Sequence, residues 1–125
     1  MLFRSYAVEP AKLSAAADAA ISAAIRGGDP VYLPSICLVE LRFLVEHRKF
    51  PEAVFSAITA LLSGSGAPFR TMPLTEEIAV SVGRIPRDLV PNLQDRVIAA
   101  TALHLGLPLV TCDRKIRSTA VATVW

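Results

Sequence analysis

The sequence is poor in cysteine, histidine, aromatic residues and net charge. Two cysteines in 125 residues cannot form a disulfide framework, and no CxxC or histidine-rich spacing indicates a zinc site. Aromatic residues make up 6% of the chain, which argues against a surface that stacks single-stranded bases. A formal net charge of +2 permits an anionic partner such as RNA but does not require one. The cysteines are therefore expected to be reduced core thiols, and the protein to be cytoplasmic.

Leader segments, long apolar runs and phosphate-binding loops are also missing from the sequence. Residues 1–6 contain neither a long apolar region nor a cleavage site, and every longer apolar stretch is interrupted by charge. The glycines at 27–28 and 64–66 match neither the dinucleotide nor the P-loop spacing. With 53% hydrophobic residues, the chain is instead predicted to form one domain spanning residues 1–125.

Segments with helical periodicity alternate with short strand-like segments. This alternation predicts parallel βαβ units, and hence a three-layer α/β/α sandwich with a mostly parallel sheet. The chain opens with a helix, and the count is only four strands for about five helices, so the first strand is expected to be missing. The predicted helices span residues 15–26, 36–49, 51–62, 76–83 and 93–105, and the predicted strands span 31–33, 69–74, 108–111 and 120–125. Ser35, Thr75 and Asn92 are the expected N-caps of the second, fourth and fifth of these helices.

Three carboxylates occupy positions where an α/β sheet places its functional groups. Asp95 opens a predicted helix and Asp113 follows a predicted strand, so both are expected at the carboxyl edge of the sheet. Glu40 lies in an otherwise apolar helical segment, where a carboxylate needs a compensating partner. Structural alternatives stay open for all three. Asp95 could interact with the amides of its helix's first turn, Asp113 could be a turn residue, and Arg96 could pair with Glu40.

Three segments carry a family resemblance: LPSICLVEL at 33–41, QDRVIAATAL at 94–103 and GLPLVTCD at 106–113. They resemble the PIN domains, and specifically the VapC-like ribonuclease toxins of prokaryotic toxin–antitoxin pairs. Residues 9–14 are similar to the segment that follows the first strand in these proteins. The resemblance implies a set of site residues: Glu40, Asp95 and Asp113 as catalytic acids and metal ligands, with Ser35 and Thr111 beside them. Arg96 and Arg114 lie near these acids in the sequence and are the expected substrate-binding groups, because a phosphodiester substrate would use their charge.

The resemblance implies metal-dependent hydrolysis of RNA, with Mg²⁺ or Mn²⁺ bound by the carboxylates. It also implies a cognate antitoxin as partner and a homodimer. One element departs from the family pattern, because family members begin with a strand whose Leu-Asp-Thr-like motif supplies the first metal ligand. No aspartate precedes Asp18 here. We therefore expect a domain truncated at its N-terminus relative to the family, without the first central strand, and a poor or inactive nuclease.

Two other interpretations remain open. The chain could be a catalytically inactive PIN-like protein that binds an antitoxin or itself, with Phe43, Phe50 and Phe55 as candidate contact residues on the early helices. A flavodoxin-like phosphotransfer domain is disfavoured, because no phosphate-binding loop and no acid with a suitably placed lysine stands out.

Overall fold

The structure is a computed structural model that describes residues 2–3, 14–64 and 66–125, with only the backbone of residues 2–3. The sequence expectations for residues 9–13 lie outside these ranges. The six helices of the described ranges are α1 (Ala15–Arg26), α2 (Ser35–Glu46), α3 (Glu52–Leu62), α4 (Glu76–Ser81), α5 (Leu93–Leu105) and α6 (Arg114–Arg117), and a 3-10 turn follows α4 at Val82–Arg84. The five strands are β1 (Leu2–Phe3), β2 (Val31–Pro34), β3 (Phe69–Met72), β4 (Leu109–Val110) and β5 (Thr123–Val124).

The five strands form a single sheet in the order β3-β2-β1-β4-β5, and every pair of neighbours is parallel. The chain moves from β1 to β2 and β3 in one direction, and then returns across the sheet to β4. Since crossover connections are right-handed, the outgoing and returning helices lie on opposite faces. The α/β architecture with a parallel sheet is therefore confirmed, and β5 is the edge strand that the sequence predicted.

The first central strand is present, which corrects the expectation that it is missing. β1 lies between β2 and β4, where Leu2 aligns with Tyr32 on one side and with Leu109 on the other. It spans only two residues. A strand of that length contains no alternating pattern, so its sequence carries no periodic signal that would distinguish it from a loop.

Helix α5 is the most deeply buried helix among the described residues. Its six consecutive residues Val97–Ala102 are all buried, and four of them are alanine or threonine. Small side chains let the helix lie close to its neighbours, and six consecutive buried residues cover every side of its middle, as expected for a helix inside the fold. The Asn92 side chain caps its start, and Gly106 ends it with a left-handed φ of 64°. Local signals at both ends therefore set the bounds of this helix.

The core lies along the sheet and spans both layers of helices. Val31, Leu109 and Val110 on the strands are fully buried, as are Ala17 on α1 and Ile98 on α5. Within the described ranges, no helix is both long enough and apolar enough to cross a bilayer.

Candidate functional site

The carboxyl edge of the sheet collects the residues that the sequence singled out. In a parallel sheet every strand ends at this edge, and the helix that follows a strand begins there. Helix α2 starts directly after β2, and α6 starts after a short link that follows β4. Helix α5 ends shortly before β4 begins, at the opposite edge of the sheet, so the first turn of α5 lies at the carboxyl edge. Glu40, Asp95 and Asp113 thus belong to three helices whose first turns face one edge.

Asp113 is the N-cap of α6. Its Oδ1 atom accepts hydrogen bonds from the backbone N–H groups of Lys115 at 2.8 Å and Ile116 at 3.3 Å. Its own N–H donates to the hydroxyl of Thr111 at 3.1 Å, and Thr111 is completely buried. The alternative of a simple turn residue is therefore replaced by a capping residue, held in place from both sides. Thr111 acts on the backbone of Asp113 and fixes where its carboxylate stands.

Asp95 is the third residue of α5 and is half-buried. Its N–H donates to Oδ1 of Asn92 at 3.0 Å, as predicted for a cap at Asn92. The cap holds the backbone of the first turn, so the carboxylate of Asp95 projects from a fixed backbone position.

Glu40 lies in the second turn of α2, partly buried, and its Oε1 atom is inaccessible to solvent. The segment around it supplies Cys37 and Leu41 to the core. A carboxylate at such a position is partly desolvated, which strengthens its interaction with any cation that reaches it.

Ser35 was predicted to cap α2, and the structure corrects this. The helix begins at Ser35 itself, with Pro34 at the N-cap position and no side-chain cap bond. The Ser35 hydroxyl accepts a hydrogen bond from the N–H of Leu74 at 3.1 Å instead. It therefore joins the start of α2 to the segment that follows β3. The first turn of α2 has no side-chain cap, because proline at the cap position offers no acceptor.

Arg96 makes contacts that the sequence did not predict. Its guanidinium donates from Nε and Nη2 to the carbonyl of Ile85 at 3.2 and 2.9 Å, and from Nη2 to the carbonyl of Val82 at 3.1 Å. The guanidinium thus binds backbone carbonyls, which replaces the pairing with Glu40 considered from sequence. These bonds also weigh against a direct role of Arg96 in substrate binding.

Arg114 is the first residue of α6 and is exposed, next to Asp113. Other exposed basic residues flank the same two acids in the chain, on the turn before α5 and on α6. They are Arg84, Arg87, Lys115 and Arg117. Exposed cations at the rim of an acidic edge suit a polyanionic substrate.

A polar contact between α4 and α5 was missed by sequence reasoning. Oγ of Ser81, a buried residue, lies 3.3 Å from Nδ1 of His104 and donates to the carbonyl of Glu77 at 2.9 Å. Because the hydroxyl hydrogen is used by the carbonyl, His104 is the donor in the other contact. The pKa of the exposed Glu77 is lowered by a hydrogen bond from its own backbone, by one from Thr75, and by the charge of His104. The spacing of Ser81 and His104 gives no sequence signal for this contact.

The acids at the carboxyl edge are candidate ligands of a divalent cation. Carboxylates supply the hard oxygen ligands that Mg²⁺ and Mn²⁺ prefer. Within residues 2–3, 14–64 and 66–125, no group of three or more His, Cys, Asp or Glu side chains is close enough to hold a metal ion. Mg²⁺ commonly keeps several waters and binds one or two protein carboxylates together with substrate phosphates. Asp95 and Asp113 offer carboxylates of the kind that such a hydrated ion binds.

Comparisons with known proteins agree on one family. The model of the PIN domain matches residues 4–122. The ribonuclease VapC22 of Mycobacterium tuberculosis is 32% identical over 123 residues, which cover 96% of this chain and 90% of that protein.

Solved structures share the fold over almost the whole chain. VapBC2 from Rickettsia felis, bound to a DNA fragment from its promoter, matches with a TM-score of 0.72 at 18% identity, covering 98% of this chain and 97% of that one. A toxin–antitoxin complex from Klebsiella pneumoniae matches with a TM-score of 0.66 at 19% identity, covering 99% and 95% of the two chains. FitAcB from Neisseria gonorrhoeae gives a TM-score of 0.61 at 24% identity, with 98% and 96% covered. At these identities the structural matches establish the fold alone.

Proposed function

The chain belongs to the PIN-domain family, and on that premise we propose that it is a VapC-like endoribonuclease of a toxin–antitoxin system. It hydrolyses RNA phosphodiester bonds with the help of Mg²⁺ or Mn²⁺. The observation that carries the proposal is the arrangement at the carboxyl edge, where Asp95 lies in the capped first turn of α5 and Asp113 is itself the cap of α6. The relative that is 32% identical is itself named a ribonuclease, which supports the same activity.

In this proposal Asp95 and Asp113 would hold the cation, directly or through waters, and Glu40 would orient the attacking water. A bound cation lowers the pKa of a coordinated water and neutralises charge that develops on the phosphoryl oxygens. Thr111 holds the backbone of Asp113, and so keeps that carboxylate in place. Exposed Arg114 contacts the phosphate backbone of the RNA on the rim of the site.

The level of activity follows from the ligands that the sequence contains. No aspartate precedes Asp18 in the chain, so the carboxyl end of β1 lacks the aspartate that family members carry there. A Mg²⁺ ion with few protein carboxylates binds weakly and depends on substrate phosphates for further ligands. We therefore propose a slow nuclease that needs a high concentration of metal.

An antitoxin partner and a homodimer, acting in the cytoplasm, complete the proposal. Two apolar side chains one turn apart on α2, Val39 and Phe43, are 65% and 54% exposed. Phe55 is half-buried and lies under the guanidinium of Arg42, whose Cζ is 4.2 Å from the ring centroid. Of the phenylalanines considered from sequence, Phe43 is thus the better candidate for contact with a partner. The same observation favours the second candidate function, an inactive protein that only captures an antitoxin.

Cleavage of RNA by the purified chain distinguishes the two functions. We expect slow cleavage in millimolar Mn²⁺ that stops on addition of EDTA. Asp95→Asn should abolish it, because the amide removes the negative charge while keeping the size of the side chain. Asp88→Asn is the matched control, since Asp88 is an exposed acid on the loop before α5. Cleavage that survives Asp95→Asn would contradict the proposed site. A folded chain without any cleavage, which co-purifies with the small protein encoded beside it, would support the second function.

A further inference from the structure

The loop that precedes Asp95 is clamped by the residue that follows Asp95. Arg96 forms a fork on the carbonyl of Ile85 and a further bond to the carbonyl of Val82. Ile85 stands at the start of the loop, eleven residues before Arg96 in the chain. One side chain therefore ties the entrance of the loop to the helix at its exit.

The rest of the loop is fixed by burial and by its own backbone. The side chains of Ile85 and Val90 are 1% and 0% exposed. The N–H groups of Leu89 and Val90 both donate to the carbonyl of Pro86, at 3.2 and 3.0 Å. The loop is thus a compact turn that buries two apolar side chains, and the guanidinium of Arg96 joins its two ends.

This turn delivers Asn92 to the start of α5. The side-chain Oδ1 of Asn92 accepts a hydrogen bond from the N–H of Asp95. The backbone carbonyl of Asn92 accepts one from the N–H of Arg96 at 3.0 Å. The position of the Asp95 backbone therefore depends on the position of the loop that ends at Asn92. A change in the separation of Ile85 and Arg96 reaches Asp95 through this cap.

We propose that Arg96 is a positioning residue for the carboxylate of Asp95. It acts through the carbonyls of Val82 and Ile85, and contacts neither the cation nor the RNA. This inference rests on the proposed function, because it assigns a role in a metal site that Asp95 helps to form. It also replaces the substrate-binding role that the sequence suggested for Arg96.

Arginine is suited to this task in a way that lysine is not. The planar guanidinium donates from two nitrogens in a fixed geometry, so the fork on Ile85 sets direction as well as distance. The ammonium group of lysine has rotating donors on a flexible stem and reaches one carbonyl at a time. Arg96→Lys should therefore retain part of the effect, and Arg96→Gln should lose nearly all of it.

The test measures Mn²⁺ binding by paramagnetic line broadening in amide NMR spectra, a readout that does not need catalysis and detects weak binding. We expect Arg96→Gln to raise the dissociation constant for Mn²⁺ about tenfold, the lower end of the losses that outer partners of a metal site cause. Hydrogen exchange at the amide of Asp95 should become faster in the same variant. Ser81→Ala is the matched control, because Ser81 directly precedes Val82 in the chain and the substitution removes a contact to the opposite end of α5.

A merely structural role and a positioning role give different results. In an Asp95→Asn background, Arg96→Gln should weaken binding by no more than about twofold, because the side chain that it positions is already disabled. Full additivity of the two substitutions would overturn the proposal, as would wild-type Mn²⁺ affinity in Arg96→Gln. Equal losses in Ser81→Ala would also overturn it, since general loosening of the helix pair would then explain the effect. A folded wild-type chain that binds no Mn²⁺ would overturn the proposed function together with this role, whereas wild-type binding that is indifferent to Arg96 would overturn this role alone.

Discussion

Replacement of Asp113 by asparagine and by alanine separates two roles that its carboxylate combines. The residue caps α6, and the proposed function makes it a ligand of the cation. Asparagine caps a helix about as well as aspartate does, but it lacks the negative charge with which a carboxylate binds Mg²⁺ or Mn²⁺. Alanine lacks both properties. The two variants should therefore agree in activity and differ in stability.

The size of the stability difference follows from the two capping bonds. They join Oδ1 of Asp113 to the N–H groups of Lys115 and Ile116. Loss of a cap to alanine costs about 1 kcal/mol of unfolding free energy. With an unfolding entropy of about 2.1 cal/mol/K per residue, a chain of this length melts about 4 °C lower for each kcal/mol. Helix α6 spans four residues, so the further effect of charge on its small dipole is minor.

Thermal melts and RNA cleavage in Mn²⁺ are the two assays. Asp113→Ala should melt about 4 °C below the wild type, and Asp113→Asn within about 1 °C of it. Both variants should lose cleavage by more than about tenfold, the loss that even an outer partner of a metal causes. Equal melting temperatures for the two variants would refute the capping argument. Retained cleavage in Asp113→Asn would refute the metal-ligand argument, and either result can occur without the other.

Substitutions at three further positions test local contacts. Asn92→Ala should lower the unfolding free energy by about 1 kcal/mol in urea denaturation, and Asn92→Asp should restore it, because both polar residues cap α5. Thr111→Val keeps the shape of a buried side chain but leaves the N–H of Asp113 without its acceptor, so a loss of about 1–2 kcal/mol is expected, partly recovered in Thr111→Ser. The pKa of Glu77 lies below its ordinary value of 4.5, so its ionised form stabilises the fold above that pH, and this contribution is lost as the pH falls through the lowered pKa. Glu77→Gln should accordingly remove this contribution at pH 7. The free energy of unfolding should then fall less steeply with pH below 4.5, and an unchanged dependence on pH in that range would contradict the argument.

Local signals in the sequence predicted most of the helices but not every end. Helix α5 lies between a capping asparagine and a glycine, and its bounds of 93–105 were predicted correctly. Helix α2 ends at Glu46, three residues earlier than predicted, and Arg48 beyond it has a φ of 55°. A residue other than glycine or asparagine in the left-handed region leaves no mark in the sequence.

Contacts between distant segments limited the prediction of the sheet and of the site. Alternation of helices and strands was enough to place Asp95 and Asp113 at one edge, because every strand of a parallel sheet ends there. The pairing of β1 depends on partners about 30 and 107 residues away in the chain. Its two residues are too few to show an alternating pattern that would predict a strand. The carbonyl partners of Arg96 belong to backbone, which every residue possesses, so no side-chain type indicates them. The sequence therefore singled out the three acids as candidates and indicated Asn92 and Thr111 beside two of them, whereas the contacts of Arg96 had to be read from the structure.

The two-residue strand β1 makes the middle of the sheet a seam between two halves of the chain. One half, up to the loop before α5, contributes β1, β2 and β3 and carries Glu40. The other contributes β4 and β5 and carries Asp95 and Asp113. The pairing of β1 with β4 and the contact of α2 with α5 bring the inner edges of these halves together near the acids. Pairing of the two halves therefore brings three acids from both of them to one edge of the sheet, and under the proposed function a hydrated cation bound there would also bridge the seam.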